Sequence, residues 1–262
     1  MKIVYILALL NLAACGHIQN FDFFASDRDL AYDLPNPYRE FSEKDYVEQY
    51  NHISKTFLES GRVKIVRFPS RQLVYLRGLV ESLRENNELL FKNNEDIDFY
   101  LISHKAPFYF SSPEGKVFLS LGVMKRYMKN EGSLAAILLY ESIRIEKDIY
   151  RKNFFIPTGT VSVERMISFS RIDLLQKNRL NKWVYYGLDR SGFDAENFLD
   201  WIQLQNKNSL DFALHLGSMK EIVREESELR RFILRKYQGE NLKNETRSSK
   251  DFYRFMQYIR RL

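Results

Sequence analysis

Asn130-Glu131-Gly132-Ser133-Leu134-Ala135-Ala136-Ile137-Leu138-Leu139-Tyr140-Glu141-Ser142-Ile143-Arg144 is the stretch from which the rest of the chain is read. Asn130 carries the short polar side chain that accepts a bond from the free amides of a first helical turn. No proline interrupts residues 131–150, and Leu134, Ile137, Leu138, Glu141, Ile145 and Ile149 recur near one side at helical spacing. The spacing predicts a helix over residues 131–150 with one acid set among its apolar positions. Taken alone, Glu141 reads as a solvated or paired glutamate, and Tyr140 and Leu139 beside an apolar stripe read as core.

Upstream, Ser42 can cap a helix whose Tyr46, Val47, Tyr50, Ile53, Phe57 and Leu58 share a face, ending near Gly61. Val63, Ile65 and Phe68 alternate as in a short strand, and Leu73, Leu76, Val80 and Leu83 mark a second amphipathic helix over residues 71–90. Residues 99–103 and 116–120 read as strands around the turn Ser111-Ser112-Pro113-Glu114-Gly115. Downstream, helices are expected over residues 165–190, 195–205, 219–237 and 250–262. Ser218 and Glu221 form a capping box, and Gly239 is a stop. The expected fold class is α+β, mostly helical, with a small β-sheet.

The chain has 262 residues, 45% of them apolar and 15% aromatic, enough to bury one sizeable core. Forty Lys and Arg against 34 Asp and Glu leave +6, with both signs interspersed. No basic-aromatic motif accompanies that excess, so nucleic acid is not expected as a partner. No G-x-S-x-G, S-x-x-K or phosphate-binding glycine loop occurs. His17, His52 and His104 are too scattered to suggest a ligand set.

The amino terminus carries a separate signal. Lys2 precedes the apolar run of residues 3–10, which is too short to span a bilayer, and Leu12-Ala13-Ala14-Cys15 follows at once. This looks like a bacterial lipobox, in which the cysteine thiol takes a diacylglycerol and the new amino terminus is acylated. An ordinary signal peptide preceding a cysteine is the alternative. Cys15 is the only cysteine, so pairing within the chain is impossible. The reading divides the chain into a signal peptide at 1–14, a lipidated tether at 15–40 containing Pro35 and Pro37, a folded domain at 41–240 and a C-terminal amphipathic helix at 241–262. Acyl chains on Cys15 would anchor the protein to the membrane facing the periplasm. Gly16, where an aspartate would signal inner-membrane retention, favours the outer membrane.

The order of helix, strand, turn, strand, short helix and the helix after Asn130 resembles the HtpX-like and CAAX-prenyl-protease-like zinc metallopeptidases. Their central helix reads L-A-x-x-L-A-H-E-x-x-H. In that register Tyr140 and Arg144 stand where the two histidines would grip zinc, while Glu141 keeps the place of the general base. The family's third ligand, a glutamate about a dozen residues before a G-[FY]-D turn, maps from Gly192-Phe193-Asp194 onto Lys177, and its supporting aspartate onto Asn181. A family histidine seven positions before an isoleucine maps onto His215 and Ile222, with Leu216 in place of the following proline.

The resemblance implies a gluzincin-like fold that has lost its metal: Tyr140 is a weak ligand and Arg144 and Lys177 are cations. Glu141 and His215 are then relics of catalysis, zinc is expected to be absent, and Glu141 is expected to bridge to Arg144 or Lys177. The function implied is a pseudo-peptidase of the cell envelope that uses the old substrate cleft to hold an extended polypeptide or envelope protein in a scaffolding, assembly or quality-control role. The alternative is an active envelope metallopeptidase or hydrolase with non-standard ligands. The C-terminal segment, with Phe252, Phe255, Met256 and Ile259 at helical spacing among basic residues, either docks on the body or lies on an anionic membrane.

Overall fold

The computed structural model describes residues 31–32, 42–61, 63–93, 96–151, 156–157, 161–213, 215–216, 218–236 and 248–262. The lipobox, Cys15, most of the tether and Gly239 lie outside the described residues. In chain order the elements are β1 Ala31–Tyr32, α1 Glu43–Glu59, β2 Ile65–Val66, α2 Ser70–Glu85, β3 Asp98–Ile102, β4 Tyr109–Ser112, β5 Lys116–Ser120, α3 Leu121–Arg126 and α4 Glu131–Glu146. They continue as β6 Ile156–Pro157, α5 Val163–Ser170, α6 Leu174–Arg190, α7 Glu196–Lys207, α8 Met219–Lys236 and α9 Lys250–Arg261. The protein is α+β and mostly helical.

One four-stranded mixed sheet runs β2-β3-β5-β4: β3 and β5 are parallel, and the two outer pairs are antiparallel. β1 and β6 form a separate antiparallel pair. Side chains alternate across a strand, and here the two faces feed two apolar clusters. Leu101, Tyr109, Val117 and Leu119 point into the larger cluster with α2, α4, α6, α7, α8 and α9. Ile102, Phe108, Phe110 and Phe118 point the other way, onto Tyr50, Ile53 and Phe57 of α1 and Met166, Ile167 and Phe169 of α5.

The strand before the tight turn is a correction to the sequence reading. The hairpin is β4–β5, with β4 built from Tyr109, Phe110, Ser111 and Ser112, while β3 reaches β5 in parallel register. All four β4 residues are buried, so no polar alternation marked the strand, and its two serines read as turn. The turn itself holds Glu114 at φ 59° and Gly115 at φ 70°. A Cβ at Gly115 would come within 2.0 Å of the Asp96 carbonyl oxygen, so only glycine fits.

The helices differ from expectation mainly at their ends. The helix expected over residues 165–190 is two, because the Asp173 carboxylate accepts from the Gln176 amide at 2.8 Å and starts α6 afresh. α2 stops at Glu85 and α4 at Glu146, each short of the expected bound. α4 is buried along its whole length except at Tyr140 and Glu146, which places it in the middle of the molecule rather than on its surface. The Ser42–Asp45 and Ser218–Glu221 side chains close capping boxes at the starts of α1 and α8. Among the described residues no helix is long and apolar enough to cross a membrane.

Candidate functional site

α4 threads between the sheet and α6, α7 and α8, so residues at its C-terminal half meet side chains from all of them. Tyr140 and Arg144, one helical turn apart, both line a cavity of about 40 Å³. Lys177 and Asn181 of α6, Phe198 of α7, Glu225 of α8 and His215 from the connection before α8 close the same space. The structure therefore brings together Tyr140, Arg144, Lys177 and His215, four positions separated by up to 75 residues in the chain.

Glu141 lies one layer deeper, fully buried, with Oε2 accepting from Arg144 Nη1 at 3.0 Å. Arg144 is itself only 3% exposed and uses its remaining donors on backbone carbonyls: Nη2 to Ser170 at 2.6 Å and Nε to Ile149 at 3.4 Å. One guanidinium thus ties the end of α4 to the end of α5. Burial works against its charge, but the Glu141 carboxylate beside it holds its pKa above the ordinary value. Of the two bridges expected for Glu141, the one to Arg144 forms.

Lys177 takes a different partner. Its ammonium lies 3.5 Å from Glu225 Oε2, while Asn181 Nδ2 donates to Glu225 Oε1 at 3.0 Å. Glu225 was missed because Arg224-Glu225-Glu226 reads as a solvated charged face. Only the packing of α8 on α6 turns it inward. Its one available signal is position, on the helix that follows His215 and one turn after the buried Ile222.

His215 stacks on Tyr109 with ring centroids 4.3 Å apart. The residue as a whole is half-buried, and its Nδ1 is buried with no hydrogen-bond partner. Burial, and then the cations Lys177, Arg144 and Arg171, pull its pKa down to about 3, so the ring is neutral near pH 7. Tyr109 belongs to the same wall: its hydroxyl accepts from Trp201 Nε1 at 3.1 Å and Gln205 Nε2 at 2.9 Å. Burial pushes the phenol of Tyr140 well above its ordinary pKa against the pull of Arg144, so it stays protonated.

Two further buried acceptors, Glu141 Oε1 and Asn181 Oδ1, lack partners. Orphaned polar atoms are costly and concentrate at functional sites. The donor set does not fit zinc: Glu141 is spent on Arg144, two of the positions are cationic, and His215 is a single imidazole. Among the described residues no three His, Cys, Asp or Glu side chains gather where they could hold a metal ion.

No protein-family model matches this chain, and no curated protein matches it.

Proposed function

We propose that this chain is a catalytically inactive, metallopeptidase-like lipoprotein of the bacterial envelope with a gluzincin-like fold. It is lipid-anchored through Cys15, faces the periplasm, with the outer membrane favoured, and serves as a scaffolding, assembly or quality-control factor for an envelope protein or extended polypeptide. The observation that carries the reading is the convergence of Tyr140, Arg144, Lys177 and His215 on one cavity. Tyr140 and Arg144 are neighbours by helical spacing alone, so the support comes from the arrival of Lys177 and His215 from two other segments. The ion pairs Arg144–Glu141 and Lys177–Glu225 supply the internal cross-links that a metal supplies in an active enzyme. A space of about 40 Å³ admits a water or two but no side chain of a polypeptide. The partner is therefore held over the outer surface and not threaded into the cleft.

Three measurements test the reading, two of them on the purified chain. Metal analysis should find no stoichiometric zinc. Unfolded envelope proteins should survive incubation with the wild type, with or without chelator, and equally with Glu141→Gln. Cleavage that a chelator abolishes and Glu141→Gln removes would overturn the proposal in favour of an active metallopeptidase. In cells, the wild type should incorporate labelled fatty acid and Cys15→Ser should not; a wild type that takes no label overturns the lipid anchor without touching the cavity.

A further inference from the structure

The solvent side of α6 mixes aliphatic, aromatic and basic side chains. Leu175, Arg179, Lys182, Trp183, Tyr186 and Arg190 fall on one face of that helix by the 3.6-residue repeat. Its opposite face, Leu180, Asn181, Val184, Tyr185 and Leu188, is buried. Leu175 is 71% exposed, Arg179, Lys182 and Arg190 are exposed, and Trp183 and Tyr186 are half-buried.

The neighbouring elements extend the same chemistry. On one side, Phe232 of α8 stands edge-on to Tyr186 at 5.2 Å, with Lys182 over its ring at 5.6 Å, and Lys236 covers the Tyr186 ring at 3.4 Å. On the other side, Leu89, 78% exposed, and Leu90 shape a shallow trough of about 400 Å³ with Trp183, Tyr186, Arg190 and Lys236. Asp189 lines the trough and Glu88 sits beside Leu89, so the local balance of charge is positive but not uniformly so.

Rings with one apolar body and one polar edge, exposed leucines and long cationic side chains are what a bilayer interface selects. Trp and Tyr seat at the headgroup level, Leu enters the acyl boundary, and Lys and Arg reach the phosphates. α9 shows by contrast what a spent aromatic face looks like. Its Phe252, Phe255, Met256 and Ile259 are all buried against α2, α3 and the core, leaving charged side chains and the ring of Tyr253 outside. α9 keeps one well-exposed ring, Tyr253, whereas the rings of α6 stand beside exposed leucines and the cations of two neighbouring elements.

We infer that the α6 face, with Leu89, Phe232 and Lys236 at its margins, is a membrane-apposing surface that takes the anionic headgroups of a phospholipid bilayer. It would orient the folded body on the membrane whatever holds the amino terminus there. It therefore stands or falls independently of Cys15 and of the pseudo-peptidase reading.

The two tryptophans make the test specific, because Trp201 is buried and Trp183 is not. The full chain is placed on vesicles of brominated phosphatidylglycerol and, separately, brominated phosphatidylcholine. Trp183 emission, taken as the difference between wild type and Trp183→Phe, should fall at least about twofold in the anionic vesicles and change little in the neutral ones. An interfacial Lys or Arg contributes about fivefold to association with an anionic surface. The triple variant Arg179→Gln, Lys182→Gln, Lys236→Gln should therefore lose the face-down population about a hundredfold and with it the quenching. A charge-matched control, Lys55→Gln, Lys125→Gln, Arg230→Gln, should keep it. Equal quenching in both lipids, no quenching in either, or equal loss in the control variant overturns the inference. The last outcome would mean that net charge, and not this face, draws the protein down.

Discussion

Glu141 and Arg144 are three residues apart and both almost wholly buried, so each depends on the other for its charge. Removing one partner of such a pair leaves an uncompensated buried ion, which costs about 3–5 kcal/mol. Glu141→Ala should lower the unfolding free energy by about that much in urea titration. Glu141→Leu combined with Arg144→Met should recover most of the loss, since apolar replacement of both partners is often neutral. A single variant as stable as the wild type would mean that the pair is not the internal staple described above. His215 makes the second residue-scale prediction. Unfolded, its imidazole takes a proton near the ordinary pKa of about 6.5; folded, it does so only near 3, because of burial and the cations Lys177, Arg144 and Arg171. The unfolded state thus binds the extra proton between those values, and the folded state loses stability as pH falls from about 6.5 toward 3. Urea midpoints at pH 7 and pH 4.5 should differ less for His215→Gln than for the wild type. An identical difference would show that carboxylates alone account for the acid lability.

At the scale of elements, the break between α5 and α6 and the seating of α9 matter most. Asp173 gives α6 its own start, which lets Lys177 and Asn181 turn toward Glu225 while Arg144 bonds the last carbonyl of α5. Loss of this cap through Asp173→Ala should cost about 1 kcal/mol. α9 is held at its start by a polar pin and at its middle by an aromatic contact. Glu131 of α4 accepts from the Ser249 amide at 2.6 Å and its hydroxyl at 2.8 Å, and from the Tyr75 hydroxyl at 2.8 Å. Phe255 packs on Phe68 and Tyr75. Phe255→Ala should cost about 3–5 kcal/mol, and amide exchange should rise in α9 before it rises in α4. Protection that persists in α9 would mean that the polar pin at Glu131 suffices alone.

For the molecule as a whole, the sheet is the shared wall of two apolar clusters, so neither cluster can be lost without exposing the other side of the same strands. Phe118 is fully buried in the smaller cluster against Phe57, Tyr100 and Phe110. Phe118→Ala should lower stability by about 3–5 kcal/mol. Although Trp201 and Trp183 pack with the larger cluster, their fluorescence should shift its midpoint together with the far-ultraviolet circular dichroism. Two separated transitions would show that the clusters unfold independently.

Periodicity and capping residues by themselves determined the α+β, mostly helical class, the core faces of α1 and α2, the Asn130 start of α4 and the docking residues of α9. Each is a local matter of side-chain spacing and of satisfying free amides, and a sequence states local matters directly. The set Tyr140, Arg144, Lys177 and His215 was legible only through the resemblance to a metallopeptidase register, since no periodicity of this chain links the four positions. Only the tertiary structure decided that β4 exists, that residues 165–190 form two helices, and that Glu225 rather than Glu141 receives Lys177. A strand buried on both faces has no alternation to reveal it, and a glutamate in a run of charges reads as solvated until another helix covers it. Which charge meets which is settled by packing across the chain, a property that no single segment carries.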